Sequence, residues 1–544
     1  MDQKFFRSNA VYQIYPRSFC DSNGDGIGDI PGIISKLDYL KDLGTGIIWL
    51  SPVYKSPNAD YGYDISDYYS INPEFGTMDD MMRLISEAKK RGIRIVMDLV
   101  VNHTSDEHLW FIGSKDPKSK YHKYYYWRKG KKNNTAPPNN WTSQFGGPAW
   151  EYVPETDEWY LHLFSKKQPD LDWHNPDVLE EVERILRFWL DRGIYGFRCD
   201  VINQIWKESL DDGKPAKYSR GMEHYLMRDG NHKILHKLYE DVFSHYDCMT
   251  VGETYNVDVV NAKRFTHEEL DMVFQFDLVN CDRRKIPVFT KPFHPRAFKK
   301  IIFKWQSSID WNANFFENHD QIRSVERFGD GKRYWKESAK MLAALLMTLR
   351  GTPYIYEGEE IGMKNLEKFG PEDYRDPVND FVYGEMRKFL IPKKTAQRLV
   401  RGYTRDNART PMQWDASENA GFSAGKPWIV VNPNYKEINV AAEEDDKSSI
   451  LNFYKAAIKL RKETPALSYG AFERMKTPGS VIAYTRGYEG RLILVIANLT
   501  GKRRSIPKKL RSDSGKVLLS NYEGVSYGYK KHLRPYEVLV VRIH

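Results

Sequence analysis

The sequence predicts an α/β fold: a (β/α)8 TIM barrel with a subdomain inserted after its third strand and a C-terminal antiparallel β domain. Three observations carry this. Short apolar runs alternate with helical-period segments eight times up to residue 356, and strands alternating with helices form a parallel sheet that closes at eight. The alternation breaks between Val101 and Trp173, over a stretch too long for a plain loop. After residue 466 it gives way to short alternating runs with Gly and Lys turns, the pattern of an antiparallel sheet.

Taken in order, the strand candidates are 10–16, 46–50, 93–101, 195–201, 249–253, 272–277, 313–317 and 352–356. Helical periodicity is expected near 31–43, 77–92, 176–192, 231–246, 295–309 and 333–350. The insertion is rich in aromatics, Lys, Asn and Pro, including Asn133-Asn-Thr-Ala-Pro-Pro-Asn-Asn140. The expected domains are therefore 1–103 (first part of the barrel), 104–173 (inserted subdomain), 174–466 (second part of the barrel) and 467–544 (C-terminal β-sandwich).

Composition narrows the class. A chain of 544 residues, 41% hydrophobic and 14% aromatic, is a large folded protein, and its many Tyr and Trp rings suit stacking on sugar faces as well as core packing. The +9 formal charge, 82 basic against 73 acidic residues, is slight for this length. Basic runs such as Lys129-Gly-Lys-Lys132 sit in no nucleic-acid motif, so no nucleic-acid partner is expected. Cys20, Cys199, Cys248 and Cys281 lack CxxC spacing and read as free thiols of a reducing compartment. There is no signal-like N-terminus and no run of about 18 apolar residues. A cytoplasmic protein without a membrane partner is expected.

The chemistry concentrates at strand ends. Gly193-Ile-Tyr-Gly-Phe-Arg-Cys-Asp-Val201 is an apolar strand that finishes on Arg198 and Asp200, two apart and so on one face, where they can pair. An isolated Arg-x-Asp is more often a structural ion pair. Other strand ends decide against that reading: Asp98, Asn102 and His103 after the third, Glu253 after the fifth, His319 and Asp320 after the seventh. In such barrels the carboxyl ends of the strands hold the chemistry, and paired carboxylates are what glycoside hydrolysis needs.

Asp98-Leu-Val-Val-Asn-His103, Gly196-Phe-Arg-Cys-Asp200, Val251-Gly-Glu253 and Asn318-His-Asp320, in this order, resemble the four signature regions of the α-amylase superfamily, glycoside hydrolase family 13. Gln168-Pro-Asp-Leu171, Arg405-Asp-Asn-Ala-Arg-Thr-Pro-Met-Gln-Trp414 and Val431-Asn-Pro-Asn-Tyr435 resemble its oligo-1,6-glucosidase and dextran glucosidase branch. The resemblance implies a retaining, exo-acting α-glucosidase on isomaltose, panose and short isomaltooligosaccharides. Asp200 would be the nucleophile, Glu253 the general acid and then base, and Asp320 the stabiliser of the distorted sugar. Arg198 beside Asp200 should keep it ionised, while Glu253 in a crowded apolar site should hold its proton. A retaining mechanism expects these two carboxyls about 5 to 5.5 Å apart.

The resemblance further implies that His103 and His319 donate to glucose hydroxyls, that Tyr63 is the platform under the ring, and that Asp60 and Arg405 grip the non-reducing end. Phe145 is a further implied substrate contact. Val201 matches the α-1,6-cleaving branch, and a β-branched side chain there narrows the aglycone side. The loop Asp21–Asp29 carries oxygen-bearing residues at alternate positions. It is expected to hold a structural Ca²⁺ through Asp21, Asn23, Asp25, the Ile27 carbonyl and Asp29, a plain Gly/Asp turn being the alternative. Departures from the branch pattern are Asp172, Ile322, Glu357, Tyr255 and Asn256. A sucrose-isomerising relative, an α-1,4-preferring α-glucosidase and a non-enzymatic scaffold rank below the hydrolase, and a monomer is expected.

Overall fold

The computed structural model describes residues 4–216, 219–284, 289–368, 370–511, 514–528 and 530–543. The first three residues of the N-terminal stretch read for a signal lie outside the described residues. The chain divides into two compact units: Met1–Ile48 with Glu87–Ile93 and Phe276–His544, and Trp49–Ser86 with Arg94–Gln275.

All eight expected strands form: β1 (Val11–Ile14), β2 (Ile47–Leu50), β3 (Arg94–Leu99), β4 (Gly196–Cys199), β5 (Met249–Glu253), β6 (Met272–Phe274), β7 (Ala313–Asn314) and β8 (Thr352–Tyr356). Among the described residues they belong to one sheet in the order β6-β5-β4-β3-β2-β1-β8-β7. The pairs β3–β4, β4–β5, β5–β6, β1–β8 and β7–β8 are parallel. Consecutive strands that neighbour one another, with the first beside the last, give a nearly closed (β/α)8 barrel. The sequence patterns overran several strand ends. The run 272–277 yields three strand residues and 313–317 only two.

The second unit owes its alignment to β4. Met97 lies opposite Phe197 and Asp98 opposite Arg198 on one side, while Thr250 lies opposite Phe197 and Val251 opposite Arg198 on the other. That register places Arg198 between a carboxylate of β3 and the end of β5. Gly196 is required beneath it, since a Cβ there would lie 1.8 Å from the Met249 carbonyl oxygen. Behind the strand runs α1 (Pro176–Leu190), capped by Asn175 and started by Pro176. Its Val178, Val182, Ile185, Leu186 and Trp189 make one buried stripe.

The insertion is a small antiparallel sheet, Trp127–Arg128, Glu158–Leu161 and Trp150–Val153, with Glu158–Leu161 central. Its core of Tyr126, Trp141, Trp150 and Leu161 also takes Tyr225 and Leu226 from beyond residue 173.

In the first unit, a helix at Trp335–Thr348 is buried along nearly its whole length. A helical pair, Pro377–Lys388 and Lys393–Arg401, closes on Met386, Ala396 and Val400. The many charged residues of this pair hid it in the sequence. The C-terminal strands β9 (Ala471–Arg474), β10 (Val481–Tyr488), β11 (Arg491–Asn498), β12 (Lys516–Ser520) and β13 (Val538–Arg542) form an antiparallel sheet ordered β9-β10-β11-β13-β12. A short pair, Arg504–Ser505 with His532–Leu533, accompanies it. One face of the sheet builds a core with Ile506, Leu510 and Leu533. The other meets the Trp335–Thr348 helix, where Tyr484 and Thr348 hydroxyls bond at 2.6 Å and Arg486 donates to the Thr348 carbonyl at 2.7 Å. Cover on both faces is why β10 and β11, expected as alternating runs, are buried along most of their length. Among the described residues, no helix is long and apolar enough to cross a membrane.

Candidate active site

The second unit holds a buried guanidinium shared by three carboxylates. Arg198 Nη1 donates to Asp98 Oδ1 and to Asp200 Oδ1, each at 2.5 Å, and Nη2 donates to Glu253 Oε2. Arg198 and Asp98 are all but inaccessible, Asp200 is 6% exposed and Glu253 is half-buried. Asp98 is held in turn by the Trp49 indole N–H at 2.9 Å. Trp49 and Tyr63 present ring faces to the guanidinium, 5.3 and 5.8 Å from it. The strand-end Arg-x-Asp is thus a pair as predicted, but Asp98 and Glu253 share it.

That sharing corrects one expectation. Burial pushes the Asp200 carboxyl well above the usual carboxylate range; Arg198 opposes this, while Glu253, Asp98 and a hydrogen bond with Glu253 reinforce it. Burial likewise lifts Asp98 to about 6 against the pull of Arg198.

Directly after Asp200, Val201 adopts φ 37° and ψ 37°. A β-branched residue in the left-handed region is strained. The turn follows the end of β4 at Cys199, buries the valine side chain and brings the Val201 N–H to 3.4 Å from Glu253 Oε2.

Around this centre the second unit places the predicted sugar contacts. His103 is buried, its Nε2 lies 3.0 Å from the Tyr63 carbonyl, and burial lowers its pKa to about 4, so it is neutral. Gln168 Nε2 donates to Asp60 Oδ2 at 3.2 Å and to the Tyr63 carbonyl at 3.2 Å. Asp60 is also fixed through its N–H, which donates to Asp64 at 2.9 Å. Phe145 packs edge-on against Phe164, which packs against the His103 ring.

The first unit carries a second cluster. Asp320 Oδ1 accepts from Arg409 at 2.8 Å and Arg405 at 3.3 Å, and His319 Nε2 lies 3.4 Å from Asp320 Oδ2. Gln13 holds His319 Nδ1 at 2.7 Å and Tyr15 stacks on its ring. Arg405 forms a two-pronged bond with Asp376, Nε to Oδ2 at 2.9 Å and Nη2 to Oδ1 at 2.7 Å. Burial would raise the Asp376 pKa, but Arg405 outweighs it and holds the carboxyl below the usual range. Asp60 and Arg405, predicted to pair, belong to different units. Sequence reasoning missed Asp376, Arg409, Gln13 and Lys207. Arg409 stands inside the quoted Arg405–Trp414 motif. Asp376 precedes a proline and reads as a helix cap, which it also is.

Two departures from the branch pattern have local reasons. Asn256, where Gly is often seen, sits at φ 53°, a conformation Asn tolerates. Glu357, in place of Gln, is fully buried, accepts the Tyr15 N–H at 2.8 Å and has its pKa raised well up by burial. As a neutral acid it has the shape of Gln.

The loop after β1 curls through repeated side-chain to backbone bonds: Asn23 N–H to Asp21, Asp25 N–H to Asn23 and Ile27 N–H to Asp25, at 2.8 to 3.0 Å. Asp29 caps the next helix through Gly32 N–H and also accepts from Ser22. The all-oxygen donor set fits a hard cation in type. Among the described residues, however, no three His, Cys, Asp or Glu side chains converge as a metal group, so Asn23 and the Ile27 carbonyl would have to complete the set.

A parallel barrel with carboxylates gathered at the ends of its fourth and fifth strands defines a glycoside hydrolase. Residues 13–470 match the model of the alpha amylase catalytic domain, and the chain belongs to the α-amylase family. It is 48% identical to the oligo-1,6-glucosidase of Parageobacillus thermoglucosidasius, over 100% of both chains. Among solved structures, the Bacillus licheniformis trehalose-6-phosphate hydrolase superposes with a TM-score of 0.93 at 42% identity, covering 99% of this chain and 100% of that one. The trehalulose synthase MutB of Pseudomonas mesoacidophila MX-45 gives 0.94 at 40%, covering 99% of each.

The shared guanidinium predicts a pH effect. Removing the Asp98 charge should lower the pKa of Asp200, so the acid limb of kcat/KM in Asp98→Asn should move to lower pH, by roughly one unit or less. A pH–rate profile checks this; an unmoved or raised limb would contradict it.

Proposed function

We propose that the chain is a retaining, exo-acting oligo-1,6-glucosidase that removes non-reducing-end glucose from isomaltose, panose and short isomaltooligosaccharides. The observation that carries the reading is the Asp200–Glu253 pair bridged by Arg198, in a chain 45% to 48% identical over essentially its full length to four oligo-1,6-glucosidases.

In this reading Asp200 attacks the anomeric carbon as Glu253 gives its proton to the departing glycosidic oxygen. A glucosyl ester forms on Asp200 and the aglycone leaves as an alcohol. Glu253, now ionised, takes a proton from water, whose oxygen displaces Asp200 and releases glucose with its α configuration kept. Binding places the basic leaving oxygen of the sugar at Glu253 and its electrophilic carbon at Asp200. Asp320 holds the ring hydroxyls, Tyr63 underlies the ring, and His103 and His319 bond further hydroxyls. Phe145 lines the site, and Asp60 and Arg405 take the non-reducing end. Val201, pinned by its left-handed backbone, narrows the aglycone side.

We assign Ca²⁺ to the Asp21–Asp29 loop in a structural role. Bound there, it would cross-link the loop through Asp21, Asn23, Asp25, the Ile27 carbonyl and Asp29. A cytoplasmic monomer fits the four free cysteines, three of them buried.

Initial rates on isomaltose, maltose, sucrose and trehalose 6-phosphate test the assignment. Isomaltose should be cleaved best, and Val201→Ala should gain on maltose relative to isomaltose. Dominant turnover of trehalose 6-phosphate, or conversion of sucrose to an isomer, would refute it. Metal analysis after mild dialysis should find about one Ca²⁺ per chain, lost in Asp21→Ala with a lower melting temperature; a metal-free protein with unchanged melting would refute the ion.

A further inference from the structure

Lys207 is wholly buried in the second unit, and no step of the reaction uses it. Its ammonium group donates to Asp170 Oδ2 at 2.7 Å, to Asn102 Oδ1 at 2.8 Å and to the carbonyls of Gln204 and Ile205 at 3.1 and 3.3 Å. Asp170 is equally inaccessible, and its other oxygen accepts the Leu163 N–H at 2.8 Å. Removing one partner of such a pair strands a buried charge, so the site is built around both.

An ammonium group can only donate. Whatever atom of Asn102 faces it must be the carbonyl oxygen, so the amide cannot flip. Asn102 Nδ2 is thereby turned to Asp170 Oδ2, at 3.1 Å, and to His103 Nδ1, at 3.2 Å. An N–H pointing at Nδ1 requires a lone pair there. The His103 proton must then sit on Nε2, where the Tyr63 carbonyl accepts it at 3.0 Å. One neighbour argues the other way: Gln168 Nε2, 3.0 Å from His103 Nε2, would bond a lone pair at that position. Its N–H groups are already served by Asp60 and the Tyr63 carbonyl. The Gln168 amide cannot turn either, because its Oε1 accepts the Ser165 N–H at 3.0 Å, and the Tyr63 carbonyl, which can only accept, decides for Nε2–H.

We propose that Lys207 is a positioning residue that, with Asp170 and through Asn102, locks His103 as its Nε2–H tautomer, so that the imidazole holds the Tyr63 carbonyl. Lys207 touches neither sugar nor reacting atoms; its effect passes through one amide. The proposal deepens the reading above, on which it relies only for the identity of the sugar.

The test reads the tautomer directly. In protein labelled with ¹⁵N-histidine, long-range ¹H–¹⁵N correlation near pH 7 distinguishes Nδ1–H from Nε2–H, with His103 assigned by its absence in His103→Gln. The parent should show only Nε2–H. Lys207→Met leaves Asn102 held by Asp170 alone, and Nδ1–H should appear beside Nε2–H. KM for isomaltose should rise about tenfold, the loss of roughly one hydrogen bond, with kcat changed less. Should Lys207→Met fail to fold because Asp170 is stranded, Lys207→Met with Asp170→Asn removes both charges and should give the same tautomer change. An Nδ1–H parent overturns the proposal, as does a variant that keeps pure Nε2–H and the parental KM. A parent inactive on isomaltose overturns the functional reading, and the tautomer arm, which needs no substrate, still decides this one.

Discussion

The second unit depends on one buried positive charge. Arg198 lies at the centre of three parallel strands, and Asp98, Asp200 and Glu253 each spend an oxygen on it. Removing one member of a buried, hydrogen-bonded charge set typically costs about 3 to 5 kcal/mol, so these four residues are mutually required. The arrangement also sets the chemistry. Burial raises the carboxyls of Asp98 and Asp200 against the pull of Arg198, and a retaining glycosidase needs one protonated and one ionised carboxyl at the start of each turnover. Structural necessity and catalytic poise come from the same contacts.

The supporting contacts follow one rule: groups that can adopt two states are held in one by partners that cannot. His103 and His319 each have an amide nitrogen against Nδ1, from Asn102 and Gln13 respectively. Arg405 is gripped at two points by Asp376, whose own backbone is fixed by Asp406. Val201 is held in a left-handed turn that its side chain disfavours, between Asp200 and a short helical turn at Ile202–Gln204. Strain at such a position persists because the surrounding bonds over-determine it.

Much of this was legible in the sequence. The eight strands follow from apolar runs separated by helical stripes, and the Arg198–Asp200 pair from the two-residue period of a strand. Alignment between strands was not legible, and it is the alignment of Asp98 with Arg198 that turns a pair into a shared charge. Expecting Asp200 to be ionised by its neighbour failed for that reason: adjacency in sequence shows the nearest base but not the competing acids. Lys207 and Gln13 gave no signal, because a lone Lys or Gln inside an ordinary segment is almost always solvated. Asp376, just before a proline, carries only the signal of a helix cap, which does not point to its second role. The C-terminal strands read as alternating runs, and their burial along most of β10 and β11 was not legible, because cover on the second face comes from elsewhere in the chain.

The central claim is that Asp200 carries the sugar covalently while Glu253 handles the proton. Mass spectrometry of the protein inactivated by 5-fluoro-α-D-glucosyl fluoride, which slows release of the glucosyl group, tests it most directly. The account predicts one added fluoroglucosyl unit on the peptide containing Asp200, and none in Asp200→Asn. A label on any other residue, or steady hydrolysis with inverted configuration and no adduct, would contradict it.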